Sequence, residues 1–164
     1  MPDGTATTRR ITRSYTMAIA APPDAAFPFL CPRREHEYLP DWKAEILFSE
    51  SGFAEPGCIF TTRRPGDDAE TVWVVTDHDP RKRIVKFVMV TPGSRVGRLT
   101  VRCEAMDNAP GSCAVTFTYE VTAISEAGQR YLDEQFTEEQ FVAHMRGEER
   151  AWNHFLKTGT MLRG

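Results

Sequence analysis

The strongest constraint on this chain is a series of six short apolar or alternating segments, each set off by a turn dipeptide. The segments are residues 44–49, 58–63, 70–77, 83–90, 96–105 and 112–124, and the breaks are Ser51-Gly52, Pro65-Gly66, Asp79-Pro80, Pro92-Gly93 and Pro110-Gly111. Such dipeptides turn the chain sharply between strands. Connections this short exclude parallel pairing, which needs a crossover of about a dozen residues or more. The segments therefore predict an antiparallel meander.

The last segment shows which face is covered. Cys113, Val115, Phe117, Tyr119 and Val121 share one side, and Ala114, Thr116, Thr118, Glu120 and Thr122 share the other. This is the pattern of a sheet with one wet face and one buried face. A further strand is expected at 11–19, where Ile11, Tyr15, Met17 and Ile19 alternate with Thr12, Ser14, Thr16 and Ala18. Seven strands with one apolar face need a cover.

The C-terminal segment supplies it. Thr137-Glu138-Glu139-Gln140 is a capping-box sequence, in which the Thr hydroxyl and the Gln side chain satisfy each other's backbone N–H groups. Beyond it Phe141, Met145, Trp152, Phe155, Leu156 and Leu162 recur near helical period, with Glu139, Arg146, Glu149, Arg150 and Asn153 on the opposite face. The pattern predicts one helix of roughly 20–25 residues with a single apolar stripe.

After the first strand, Pro22-Pro23-Asp24 suits the opening turn of a helix. Pro28 keeps that helix short. A second short helix is expected at about 32–40, with Cys31, Glu35, Tyr38 or Leu39, and Trp42 near one stripe. Residues 1–8 are small and polar and read as a disordered tail, leaving 9–164 as a single domain.

Composition removes several functional classes. A net charge of −3 and a pI near 5.8 argue against a nucleic-acid partner, which calls for a basic surface. No run is long and apolar enough to span a membrane, and no apolar stretch follows Arg9, Arg10 and Arg13. The expected location is cytoplasmic. Cys31, Cys58, Cys103 and Cys113 and the four histidines show no metal-ligand spacing, so no metal is expected. No phosphate loop, dinucleotide fingerprint or nucleophile elbow is present, so no cofactor is expected either. Oligomeric state is not encoded in any feature of the sequence.

The order of strand, two short helices, six-stranded meander and long helix resembles the helix-grip fold. This is an α+β architecture in which a seven-stranded antiparallel sheet wraps a C-terminal helix. The superfamily is the pollen-allergen-like, START-related group often labelled SRPBCC. Three motifs carry the resemblance over about residues 9–162. Ala21-Pro22-Pro23-Asp24-Ala25-Ala26-Phe27-Pro28 is similar to the group's passage from strand one into helix one. Phe29-Leu30-Cys31-Pro32-Arg33-Arg34-Glu35, with Trp42 downstream, resembles a bacterial branch of it. Thr71-Val72-Trp73-Val74-Val75, followed by Asp79-Pro80, is the third.

The resemblance implies a space between sheet and helix. Strand residues in phase with the apolar face include Phe60, Trp73, Val75, Val85, Phe87 and Met89, then Leu99, Val101, Cys103, Val115, Phe117 and Tyr119. Phe141, Met145, Glu148 and Trp152 would face them from the helix, and Trp42 from the end of the short-helix region. These residues fit either the wall of a ligand cavity or a filled core. The candidate ligand-binding set is Trp42, Phe60, Trp73, Phe87, Met89, Val101, Phe117, Tyr119, Phe141, Met145 and Trp152.

The implied partner is a small hydrophobic or amphipathic molecule, held by enclosure. A cyclase or dehydratase acting on a polyketide-like substrate is the alternative, with a chaperone-activator-like interaction module as a third. The enzyme reading has two candidate catalytic residues. Glu35 would act as an acid or base if desolvated at the cavity, or else form a surface ion pair with Arg33, Arg34 or a strand arginine. His144 would border the cavity one turn from Phe141 and Glu148, or serve as a hydrogen-bonded structural residue. Arg63, Arg98 and Arg102 fall in the outward phase of their strands.

Overall fold

A computed structural model describes residues 9–64 and 69–163. The tail expected at 1–8 and the Pro65-Gly66 turn lie outside the described residues. The strands are β1 (Arg10–Ile19), β2 (Ala44–Phe48), β3 (Ile59–Thr62), β4 (Thr71–Asp79), β5 (Ile84–Thr91), β6 (Arg95–Ala105) and β7 (Cys113–Ala123). All neighbours pair antiparallel in one sheet of order β1-β7-β6-β5-β4-β3-β2. Six strands follow the chain as a meander, and β1 returns to pair with the last of them. This is the helix-grip architecture.

Between β1 and β2 lie α1 (Pro23–Ala26), a 3-10 turn (Phe27–Phe29) and α2 (Pro32–Glu35). The helix expected at about 32–40 regularises only over its first four residues. Beyond them the chain continues as turns, with the Leu39 N–H still bonded to the Glu35 carbonyl at 2.9 Å, before Pro40 breaks the pattern. Glu35 consequently ends the helix, and its side chain turns inward.

The alternation decides what faces inside. Met17, Ile19, Phe60, Val75, Val85, Phe87, Leu99, Val101, Val115 and Phe117 are all buried. The outer face is polar at its β1–β7 side, where Ser14 pairs with Thr118 and Thr16 with Thr116, each at 3.0 Å. It is less polar at β4–β6. There Val72 opposes Val90 and Val74 opposes Val88, with Val96 opposite Val90 on the next strand.

The long helix α4 (Glu138–Thr158) begins at the expected capping box. The Thr137 hydroxyl accepts from the Gln140 N–H at 3.2 Å, and Gln140 Oε1 accepts from the Thr137 N–H at 3.3 Å. It ends at Gly159, whose φ of +75° is the left-handed conformation that glycine adopts without a Cβ penalty.

Its polar face departs from the expectation. Glu149 and Asn153 do not point into solvent but clasp the open edge of β1. Glu149 accepts from the Ala18 N–H at 2.8 Å and from the Tyr15 hydroxyl at 2.5 Å. Asn153 accepts from the Ala20 N–H at 2.8 Å and donates to the Ala18 carbonyl at 2.9 Å. An edge strand exposes backbone groups that need partners, and the helix supplies them from side chains that periodicity alone assigns to water.

One element was not expected, α3 (Glu126–Glu134). Ser125 caps it by accepting from the Gly128 N–H at 3.2 Å, while its own hydroxyl donates to the Gly93 carbonyl at 2.6 Å. A Cβ on Gly128 would stand 2.0 Å from the Ser94 carbonyl oxygen, so only glycine permits this approach to the β5–β6 turn. Among the described residues, no helix is long and apolar enough to cross a membrane.

Candidate functional site

The sheet does not close onto α4. A cavity of about 1350 Å³ lies between them, with α2, α3 and the C-terminal residues around its margin. That is above the roughly 300–1,000 Å³ of common small-molecule sites. Ten of the eleven candidate residues form its wall: Trp42, Phe60, Trp73, Phe87, Met89, Val101, Phe117, Tyr119, Phe141 and Met145.

Trp152, the eleventh, is placed elsewhere. Its ring stacks on Tyr38 at 5.4 Å with 17° between planes and lies 6.4 Å from Phe29. It packs α4 against the α1–α2 segment and is 1% exposed. Val75, Val85, Cys103 and Val115 are likewise in the core, beyond the cavity wall. At that end the sheet and helix meet; farther along they part.

The aromatic floor has a defined geometry. Phe60 and Trp73 stack at 5.4 Å and 12°, and Phe87 meets both edge-on. The Trp73 indole N–H donates to the Thr62 hydroxyl at 2.8 Å, which fixes the ring plane. Gly97 lies opposite Met89, and a Cβ there would come within 2.9 Å of Met89 Cγ. The missing side chain leaves the Met room to lie along the sheet.

Both catalytic candidates reach the cavity. Glu35 forms no ion pair with Arg33 or Arg34, because Arg34 pairs with Glu37 at 2.6 Å. The Arg33 and Arg34 guanidinium groups lie over Phe53 and Phe29. Among the described residues, none donates to the Glu35 carboxyl. Burial first, and the charge of Glu148 second, push its pKa well above the usual carboxylate range. His144 Nε2 stands 3.3 Å from Glu148 Oε2 and 3.2 Å from an Arg64 guanidinium nitrogen. Burial, with the Glu148 charge second, also raises the Tyr119 hydroxyl well above its ordinary pKa of 10.0. Glu35, Glu148, His144, Arg64 and Tyr119 thus form one polar group on the cavity wall.

Several wall residues fall outside the candidate set. Arg63, expected outside, lines the cavity because β3 ends at Thr62 and the alternation stops there. Arg98 does face out, with Nη2 2.7 Å from Glu120 Oε1, and Arg102 is exposed. Thr71, Thr91 and Arg95 are inward polar positions at strand ends. Their sequence signal is parity: Thr71 is in phase with Trp73, Thr91 with Met89, and Arg95 with Gly97 and Leu99. Tyr131, Gln135 and Phe136 follow from the unexpected α3 and the turn after it.

An open-mouthed cavity between a curled antiparallel sheet and one long helix defines a helix-grip container. The profile of the family described as "Polyketide cyclase / dehydrase and lipid transport" matches residues 10–148, and the chain belongs to that family. Solved structures agree on the fold. Norcoclaurine synthase from Thalictrum flavum superposes with a TM-score of 0.63 at 18% identity, covering 87% of this chain and 86% of that one. Ara h 8.0201 gives 0.64 at 12% identity, over 92% of this chain and 99% of its own. Mll3558 from Rhizobium loti gives 0.59 at 14%, over 90% and 98%. Among curated proteins, none matches the sequence.

Proposed function

We propose that this protein binds a small hydrophobic or amphipathic molecule in the cavity between sheet and α4. The observation that carries the reading is a cavity of about 1350 Å³ walled by Phe60, Trp73, Phe87, Phe117, Tyr119 and Phe141. A domain that needed only a core would fill such a volume, since each void forfeits dispersion contacts and apolar burial. Membership of a family whose description includes lipid transport supports the same reading. The ten wall residues of the candidate set are its proposed contacts, and the cytoplasm its proposed location.

The test is native purification followed by solvent extraction and mass spectrometry, with thermal melts against a panel of lipids and polyketides. Binding to the folded state alone raises the melting temperature with ligand concentration. An empty extract together with a flat panel counts decisively against the reading.

Glu35 favours a second reading. A carboxyl on the cavity wall, its pKa pushed well above the usual carboxylate range by burial and by the charge of Glu148, is suited to donate a proton to a carbonyl or hydroxyl oxygen of a bound substrate. Under this reading the protein is an enzyme of cyclase or dehydratase type. Loss of turnover in Glu35→Gln with ligand affinity retained supports it; unchanged turnover removes it.

A further inference from the structure

The segment that follows α4 runs along the margin of the cavity, where Met161, Leu162 and Arg163 all line it. Gly159 sets its course. The backbone there has φ +75°, and a Cβ would meet nothing within 4 Å, so the chain turns in open space. A glycine in this conformation has none of the steric limits that hold other residues to one path.

The ties that hold the segment end early. The Thr160 N–H donates to the Thr158 hydroxyl at 3.1 Å, and the two threonine hydroxyl oxygens lie 2.9 Å apart. Beyond Thr160, among the described residues, no hydrogen bond or ion pair joins residues 161–163 to the rest of the protein. Apolar contact alone holds them. Leu162 packs half-buried against the core, whereas Met161 is half-buried outside that cluster and Arg163 is exposed. Backbone without hydrogen bonds and with few buried apolar contacts belongs to the parts of a fold that open most readily.

The cavity also needs what this segment carries. The later half of α4 offers it only Arg150 and Ala151 after Glu148. Past that point Met161 and Leu162 are the only large apolar side chains of its wall, among the described residues. Methionine is unbranched and adapts its shape to a neighbour. An apolar ligand that touches these two side chains favours the arrangement in which they cover it, because differential contact is what shifts such an equilibrium.

We propose that residues 160–163 form a strap that folds over a ligand after it has entered, with Gly159 as hinge and Met161 and Leu162 as the covering side chains. Entry uses the open mouth, so the strap governs release. The proposal rests on the ligand-cavity reading and adds a moving part to it.

Decanoate serves as the probe, and Trp42 and Trp73 on the wall report its binding by fluorescence. Stopped-flow comparison of wild type with Met161→Ser/Leu162→Ser should show dissociation at least about fivefold faster and association within about twofold, since lost covering contacts act on release. A second measurement uses the wild type alone and holds even if the double variant does not fold. With carbon-13 in the methionine methyl groups, the Met161 methyl should become more ordered at saturating decanoate. Met106, half-buried and away from the cavity, should not change. Unchanged dissociation, or a Met161 methyl equally ordered with and without decanoate, overturns the strap and leaves the cavity reading standing. Faster association in the double variant also overturns it, because the segment would then block the mouth rather than close behind the ligand. A wild type that does not bind decanoate counts against the cavity reading and removes the proposal with it.

Discussion

The Trp152 ring stacks on Tyr38 at 5.4 Å, nearly parallel, and this contact decides where the cavity stops. Tyr38 donates its hydroxyl to the Phe29 carbonyl at 3.2 Å, so α4, the 3-10 turn and the segment after α2 are joined at one point. Trp152 is 1% exposed, and its indole N–H has no partner among the described residues. Its contribution is packing rather than ligand contact.

Trp152→Ala should therefore destabilise the fold by about 3–5 kcal/mol, since it removes a large buried ring at a junction of three elements. Trp152→Phe should cost far less, because it keeps an aromatic ring and abolishes a buried donor without an acceptor. Urea melts of the two variants test this. A Trp152→Ala protein as stable as wild type would place the residue outside the core.

The α4–β1 clasp yields a local prediction. Asn153 makes two hydrogen bonds to β1, at 2.8 and 2.9 Å, and no other side chain takes its place at Ala20. Asn153→Ala should cost about 1–3 kcal/mol, at roughly 0.5–1.5 kcal/mol per bond. Hydrogen exchange should speed up at the Ala20 amide before it does at β5 or β6. Uniform acceleration across the sheet would show that Asn153 acts globally.

The strands, the long helix and the inward face were legible because each depends on local signals. Alternation set the parity of Phe117 and Tyr119, and Thr137 with Gln140 set the start of α4. What was not legible depends on contacts between distant segments. Asn153 reads as solvent-facing until β1 is seen beneath it. α3 was hidden because its sequence is polar and contains Gly128, whose need is set by the Ser94 carbonyl. Trp152 had the correct period for the cavity side, but Tyr38, brought in by the segment after α2, covers it. The inward polar strand ends were readable from parity, yet each of Thr71, Thr91 and Arg95 alone resembles an ordinary strand terminus.

Glu35 predicts a pH dependence with a definite sign. Its folded-state pKa is raised above 4.5, by burial first and by Glu148 second. Between 4.5 and that raised value the folded state binds more protons than the unfolded state. Stability associated with the group is thus complete below 4.5 and lost as pH rises through the folded pKa. Glu35→Gln, which cannot ionise, should match wild type near pH 4, gain on it as pH rises above 4.5, and stop gaining once pH passes the folded pKa. A gap in melting temperature that stays constant across this range would mean Glu35 is not held protonated.

The cysteines should be silent. All four are buried and unpaired. Burial pushes Cys103 up to about 12, with the nearby Cys113 adding to the shift, and burial raises Cys113 and Cys58 as well. Thiols in this state carry little thiolate at neutral pH and react slowly. Ellman's reagent at pH 8 should find no rapidly reacting thiol in the native protein and four in denaturant. A rapidly reacting native thiol would reveal an opening of the α1–α2 segment or of the sheet.

Gly97 allows cavity volume to be separated from stability. It faces inward on β6 opposite Met89, and a Cβ would come 2.9 Å from Met89 Cγ, a flexible side chain rather than backbone. Gly97→Val adds a β-branched residue to a strand, which the backbone favours, and displaces Met89 into the enclosed space. Fold stability should stay within about 1 kcal/mol of wild type, because the strand gain offsets the rearrangement. Affinity for an enclosed ligand should fall by roughly tenfold or more, since a well-packed wall adapts poorly to added volume. Thermal melts and decanoate titration on the same sample separate the outcomes. Retained affinity with retained stability would place the ligand away from β5 and β6, and collapse of the fold would show that Met89 has no room to move.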